Sequence, residues 1–356
     1  MAQEKNTNRI KGRGATGNPK NRFKELEYDF DTGDNERPAT KFYRDASSSI
    51  ITYNESPDVG FDASINPYRG CEHGCAYCYA RPTHEYLGFS AGLDFETRIM
   101  VKENAPELLR NELASKSYTP QVLAMSGVTD PYQPIERHIE LTRRCLQVLA
   151  KCRNPVALIT KNHLITRDVD VLLELASYQA AKVHLSISTL DNSLRSFLEP
   201  RTSHTDKRLE AIRTLNDSGI PVGVLVAPVI PGLTDHEIPQ ILQEAASAGA
   251  KFAGYIVLRL PFNLKKQFEE WLETNIPNRK EKVLNRIRQM RDGDLNETEF
   301  GTRMKGNGKF ADQIADLFRL GIQKSKLNQE SFPLSTKEFI RPSINGQIHL
   351  FHQDAE

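Results

Sequence analysis

The chain has 356 residues, 38% of them hydrophobic and 26% charged, with 47 Lys and Arg against 46 Asp and Glu for a net charge of +1. That length admits one large domain with appendages or two domains, and the near-neutral balance gives no whole-chain push toward nucleic acid. The longest apolar runs, such as VGVLVAPVI from Val222, fall far short of the roughly 20 residues of a membrane span, MAQEKNTNRIKGRG lacks the apolar core of a secretory signal, and five cysteines without paired spacing point to a reducing compartment, read as the cytoplasm.

Residues 1–40 are polar, rich in Gly and Asn, and carry no hydrophobic periodicity. Residues 1–24 hold seven Lys or Arg against Glu4, and residues 25–36 hold six acids and no base. Such a segment is expected to be a disordered, solvated leader, with an electrostatic handle on a polyanion as the sharper alternative.

From Ala46 onward, β-branched and aromatic residues lead into a first strand near Phe61–Ile65 and then into a cysteine loop. After it, short β-rich runs alternate with helix-like segments. The runs are QVLAM from Gln121, VALIT from Val156, KVHLSIS from Lys182, VGVLVA from Val222 and GYIVL from Gly254. Between them, Leu209, Ile212 and Leu215 line one face of a helix stopped by Gly219. Thr234 and Glu237 have capping-box spacing ahead of a helix that Pro239 delays. Nearly all-apolar strands in βα alternation imply a parallel sheet. Six such units predict an α/β fold of the partial (β/α)6 TIM-type barrel kind over residues 41–262, with its chemistry at the strand C-termini. Beyond Pro261 the alternation stops. Residues 264–291 and 310–325 read as amphipathic helices of a C-terminal extension (263–356), and FIRPSINGQIHLF reads as a strand or an extended tail.

The stretch INPYRGCEHGCAYCYA places Cys71, Cys75 and Cys78 within eight residues. Three thiolates on one small inorganic core must lie only several Å apart, so this loop has to curl, and Gly70 and Gly74 permit the positive φ that curling needs. A four-iron cube ordinarily takes four thiolates, so three would leave one iron open to a small ligand. A zinc site completed by His73 or His84, and three incidental buried thiols, are the competing readings. Cys145 and Cys152, in the helix-like LTRRCLQVLAKC, read as small buried hydrophobes.

C-x3-C-x2-C with an aromatic, Tyr77, directly before the third cysteine resembles the radical S-adenosylmethionine (SAM) superfamily signature, and the loop follows the first barrel strand as in that family. The resemblance implies a [4Fe–4S] cluster held by Cys71, Cys75 and Cys78, whose open iron chelates SAM. It also implies reductive cleavage of SAM to a 5′-deoxyadenosyl radical that abstracts hydrogen from a substrate, with flavodoxin or ferredoxin as the kind of electron donor. SAM then needs partners at the strand ends. Ser126, Thr129 and Asp130 stand where the family receives the SAM amino group. Lys161 is the cation for the carboxylate, and Ser186 and Ser188 share one strand face for the ribose hydroxyls. LEPRTSH offers Glu199 and Arg201, and Val226 and Tyr77 are the candidates for adenine.

More narrowly, YRGCEHGCAYCYAR, TDPYQPIE, LITKN and LEPRTSHTDKRLEAI resemble the branch related to spore photoproduct lyase, over roughly residues 40–325. That resemblance makes nucleic acid the leading candidate substrate, ahead of a peptide or small molecule. A non-catalytic metal or iron–sulfur protein is the alternative. The chain departs from that branch in having no cysteine between Cys78 and Cys145, where the lyase keeps its hydrogen-donating thiol. Tyr132 is the nearest tyrosine, either a substitute donor or a turn-packing aromatic.

Overall fold

The computed structural model describes residues 10, 12–23 and 38–343. Among the described residues ten strands form two sheets. They are β1 (Lys41–Arg44), β2 (Ile51–Tyr53), β3 (Ala63–Ile65), β4 (Tyr68–Arg69), β5 (Arg98–Val101), β6 (Leu123–Met125), β7 (Val156–Thr160), β8 (Ala181–Ser186), β9 (Val222–Val229) and β10 (Phe252–Val257). The larger sheet runs β10-β9-β8-β7-β6-β3-β2. Its members β3, β6, β7, β8, β9 and β10 are the six strands expected, all parallel. Sequence order equals spatial order throughout, so the sheet is wound in one direction, as in a barrel, with no reversal of the doubly wound kind. At its edge, β2 adds an antiparallel strand to β3.

Alternation along each strand sorts the side chains. Val183, Leu185 and Ile187, with Val222, Val224 and Val226, are buried in the main core with Ile212, Leu215, Ile241 and Leu242 from the helices Thr205–Asp217 and Ile238–Ser247. The opposite set on β8 and just after it, Ser186 and Ser188, faces a polar network with Lys161 and the Ala227 carbonyl. Gly219 terminates the first of these helices at φ +80°, as expected. The second begins regularly at Ile238 with Pro239 in its first turn, after a short 3-10 turn. The capping box does not form. Glu237 reaches instead to Thr189 Oγ1 (2.8 Å) and the Leu190 N–H (2.6 Å), and Thr234 Oγ1 accepts from the Ile230 N–H.

The smaller sheet, β1-β5-β4, was not legible in the sequence. Its two-residue strand β4 pairs antiparallel with β5 and leads directly into Gly70, so it aims the cysteine loop. The C-terminal helices are built against the same place. The predicted 264–291 helix divides at Pro277 into Leu264–Asn275 and Pro277–Gln289. Phe268, Trp271 and Leu272 share a buried cluster with Cys75, Ala76 and Tyr77, and Trp271 Nε1 donates to the Phe197 carbonyl (3.2 Å). Gly308–Ser325 packs on Ile238–Ser247, where a Cβ at Gly321 would stand 2.5 Å from Leu242 Cδ1. Near the last strand, the Val257 N–H donates to the Met304 carbonyl, and Arg303 pairs with Asp58 at 2.5 Å; these contacts tie β10 to the loop between β2 and β3.

Part of the leader expected to be disordered is folded onto the protein. Glu96 accepts from the backbone N–H groups of Gly14 (3.1 Å) and Ala15 (2.9 Å), Asn18 pairs with Asp94, and Arg22 with Glu85 (2.6 Å). Its polar residues satisfy buried carboxylates rather than water. The acidic run 25–36 and the tail beyond residue 343 lie outside the described residues. No helix among the described residues is long and apolar enough to cross a membrane.

Candidate functional site

The cysteine loop is curled as its glycines allow, with Gly70 at φ +81° and Gly74 at φ +64°. Backbone bonds fix it on both sides: the Cys71 N–H donates to the Phe95 carbonyl (2.9 Å) and the Ala76 N–H to the Leu198 carbonyl (2.9 Å). Arg81, fully buried, donates from Nε (3.1 Å) and Nη2 (2.8 Å) to the Cys75 carbonyl and pairs with Glu96 at 2.5 Å. Glu96 in turn holds Gly14 and Ala15, so residues 13–15 lie over the loop; a Cβ on Gly14 would sit 1.8 Å from the Gly74 carbonyl.

Cys71 and Cys75 are buried and Cys78 half-buried. Burial pushes the Cys75 thiol well up, and Glu199, Cys78 and Cys71 add to the shift. Burial also raises Cys78, to about 11, against the Arg81 guanidinium and with Cys71 adding. Among the described residues no three His, Cys, Asp or Glu side chains converge as ligands of a single metal ion.

The two histidines offered as a fourth zinc ligand, His73 and His84, are both buried. His73 places Nδ1 3.3 Å from Asp130 and Nε2 3.2 Å from Asn162 Nδ2. Burial opposes charge on this pair, but Asp130 and then Cys71 outweigh it at His73, raising it to about 10, and His73, with Thr160 and the Lys161 N–H, lowers Asp130 to about 2. His84 is turned to the Arg98 carbonyl (2.9 Å). Cys145 and Cys152 are buried in the helix Leu141–Cys152, as expected.

The residues expected around SAM separate into two groups. Lys161, Ser186, Ser188 and Tyr77 come together. Lys161 Nζ donates to Ser186 Oγ (2.5 Å) and the Ala227 carbonyl (3.1 Å), lies 3.9 Å from Glu199 Oε1, and stands 5.8 Å from the Tyr77 ring centre. Tyr77 donates its hydroxyl to Glu199 and lies 3.2 Å from Ser188 Oγ, which is 2.7 Å from the same carboxylate. Ser126, half-buried after β6, makes no hydrogen bond among the described residues and keeps a free hydroxyl.

The others are committed elsewhere. Thr129 donates to the Gly70 carbonyl (2.7 Å), steadying the loop. Asp130 is filled by His73, Thr160 Oγ1 (2.7 Å), the Lys161 N–H (2.9 Å) and the Tyr132 N–H (2.9 Å), which leaves it no room for an amino group. Arg201 pairs with Glu72 (2.9 Å). The Val226 side chain belongs to the main core, because its parity on β9 matches Val222 and Val224; it does not line the strand-end network. Tyr132 is a packing residue, fully buried with its hydroxyl on Asp168 (3.1 Å).

Sequence reasoning missed the group that organises this network. Arg208, from the helix Thr205–Asp217 ahead of β9, donates to Glu199, Thr202 Oγ1 (2.6 Å) and the Ser186 carbonyl (2.8 Å). Burial alone would raise Glu199, but Arg208, then Lys161 and Tyr77, hold it at about 2. One carboxylate is thus shared by two cations. Arg208 is spent on it, and Lys161 keeps a positive charge at the strand ends beside the loop.

A profile of the Radical SAM superfamily matches residues 65–245, half of the chain. The chain belongs to the radical SAM superfamily. An uncharacterised protein of Mycobacterium tuberculosis is 37% identical over 214 residues, 60% of this chain and 63% of that relative. The match thus spans under two thirds of that protein's length. Spore photoproduct lyase of Bacillus subtilis is 29% identical over 201 residues, 52% of this chain and 53% of the lyase. A solved spore photoproduct lyase in complex with dinucleoside spore photoproduct superimposes with a TM-score of 0.59 at 17% identity, covering 84% of this chain and 85% of that one. The chain shares its fold with that lyase.

Proposed function

We propose that Cys71, Cys75 and Cys78 hold a [4Fe–4S] cluster beside a SAM site walled by Lys161, Ser126, Ser186, Ser188 and Tyr77. When bound, the cluster and SAM supply a 5′-deoxyadenosyl radical that takes hydrogen from the substrate. The observation that carries this reading is the Lys161 ammonium at the strand ends, which shares the Glu199 carboxylate with Arg208, beside the three-cysteine loop. It suits a carboxylate-bearing, zwitterionic partner, and Ser186 and Ser188 supply hydroxyls for its ribose. Arg208 keeps Glu199 ionised, and Glu199 fixes the Tyr77 ring beside the third cysteine.

Nucleic acid is the first substrate class to test, supported by the likeness to spore photoproduct lyase. We place the enzyme in the cytoplasm, reduced by a carrier of the flavodoxin or ferredoxin kind. Anaerobic reconstitution should yield about four irons per chain, and dithionite should release 5′-deoxyadenosine from SAM. Cys75→Ala should lose both. SAM cleavage that survives this substitution would remove the thiol set from the reading, and iron binding without any cleavage would favour a non-catalytic iron–sulfur protein.

A further inference from the structure

Two recesses of about 400 Å³ each open beside the cysteine loop and share Arg137, Asn162, Leu164 and Ser203 as a common wall. Arg167 and Lys207 line one half and Arg201 the other, and no Asp or Glu lines either. The carboxylates that pair with these arginines lie behind them: Glu136 and Asp168, which hold Arg167, are 0% exposed, and Glu72, which holds Arg201, is 4% exposed. Lys207 at the rim pairs with the exposed Glu210. Arg137 is exposed, and its side chain makes no hydrogen bond or ion pair among the described residues. The surface seen from the cleft is therefore guanidinium edges, an ammonium, an amide, hydroxyls and two histidine rings, with Leu164 and Pro134 among them.

We propose that this cleft binds phosphate groups of the substrate. Guanidinium forks match the paired oxygens of a phosphate; the Arg137 fork has no side-chain partner among the described residues, whereas Arg167 has Nε and Nη2 on Asp168 and Glu136 and forms a fixed part of the wall. Two joined recesses suit phosphates in series, as in a diphosphate or consecutive nucleotides. The position is also right. Asn162 in the floor touches His73 (3.2 Å) and Ser203 (3.0 Å), and the Arg201 N–H donates to the His73 carbonyl (3.2 Å), so a single layer of side chains separates the cleft from the cysteine loop. As a substrate contact the proposal rests on the radical SAM reading above; as an anion site it does not, and binding is measured apart from SAM cleavage.

The test uses the reconstituted full chain with inorganic pyrophosphate and a short single-stranded oligonucleotide, followed by calorimetry at about 50 and 200 mM salt. Both probes should bind at low salt, and Arg137→Glu should weaken both by about tenfold or more, while dithionite-driven SAM cleavage stays unchanged. Lys207→Glu, on an exposed helix face, provides a second variant should the first fold poorly, and it should weaken binding in the same direction. An oligonucleotide that binds far tighter than pyrophosphate, with affinity falling steeply in salt, makes the phosphates those of a polynucleotide. Equal affinities make them those of a small phosphorylated metabolite. Failure of the wild type to bind either probe, or full binding by both variants, overturns the proposal. So does an Arg137→Glu variant that binds phosphate normally but is reduced more slowly by an acidic one-electron carrier, since the cleft is then a docking site for that protein.

Discussion

Replacing Arg81 by Met tests whether one buried ion pair shapes the cysteine loop. Arg81 and Glu96 are 1% and 0% exposed and meet at 2.5 Å, and the same guanidinium donates to the Cys75 and Gly92 carbonyls. Removing one partner of such a pair leaves a buried charge without compensation, which costs roughly 3–5 kcal/mol. The carbonyl contacts, each to a charged donor, put the expected loss at the upper end, about 5 kcal/mol. The double variant Arg81→Met/Glu96→Gln removes the stranded charge as well. Although the Gly14 and Ala15 N–H groups then face a neutral acceptor, it should regain about half of the loss. Denaturant unfolding of the reconstituted proteins measures both, and iron content per chain reports whether release of the Cys75 carbonyl lets the loop open. A single variant within about 1 kcal/mol of wild type, or a double variant less stable than the single, would refute the reasoning.

Lys161→Ala should weaken SAM binding by about 10- to 100-fold, the range for losing a charged hydrogen-bonding partner, while iron content stays at the wild-type level; unchanged affinity in equilibrium binding removes the residue from the site. Gly14→Ala should lift residues 12–23 from the loop, since its Cβ would meet the Gly74 carbonyl at 1.8 Å; limited proteolysis should then cut in that segment faster than in wild type, and equal rates count against the contact. His84 carries a pH dependence. Burial lowers it from 6.5 to about 4, so between those values the unfolded chain binds the extra proton, and stability is complete above pH 6.5 and falls as pH drops toward 4. The loss approaches ~3 kcal/mol, and His84→Gln should flatten the stability–pH slope in that window; identical slopes would show that the ring titrates normally in the fold.

The strand order was legible because each of the six parallel strands is a short apolar run at a βα interval, and the cysteine loop was legible because its spacing is local. Lys161, Ser186 and Ser188 were nominated for the same reason, each sitting at or near the end of a recognisable strand, and the structure joins them in one network around the Ala227 carbonyl. Val226 shows the limit of that reasoning. Being near a strand end placed it at the right height, but alternation along β9 turns its side chain to the helices. Asp130 and Thr129 show another limit, since both are at the expected place and both are consumed by holding the loop.

What the sequence concealed is long-range ionic pairing. Arg208 lies nine residues from Glu199 and Glu96 fifteen from Arg81, and Gly14 is a further 82 residues from Glu96. No periodicity or spacing marks such pairs, because a charged residue on a helix reads as solvated until the partner is known. Yet these pairs set the electrostatics of the site. With Arg208 present, Glu199 is neutralised before Lys161 is counted, and the ammonium is left to meet an incoming carboxylate. Without Arg208, Glu199 and Lys161 would neutralise each other and the strand ends would carry no net charge. A neutral residue at 208 should therefore impair SAM binding through Lys161, although Arg208 itself is spent on Glu199, Thr202 and the Ser186 carbonyl.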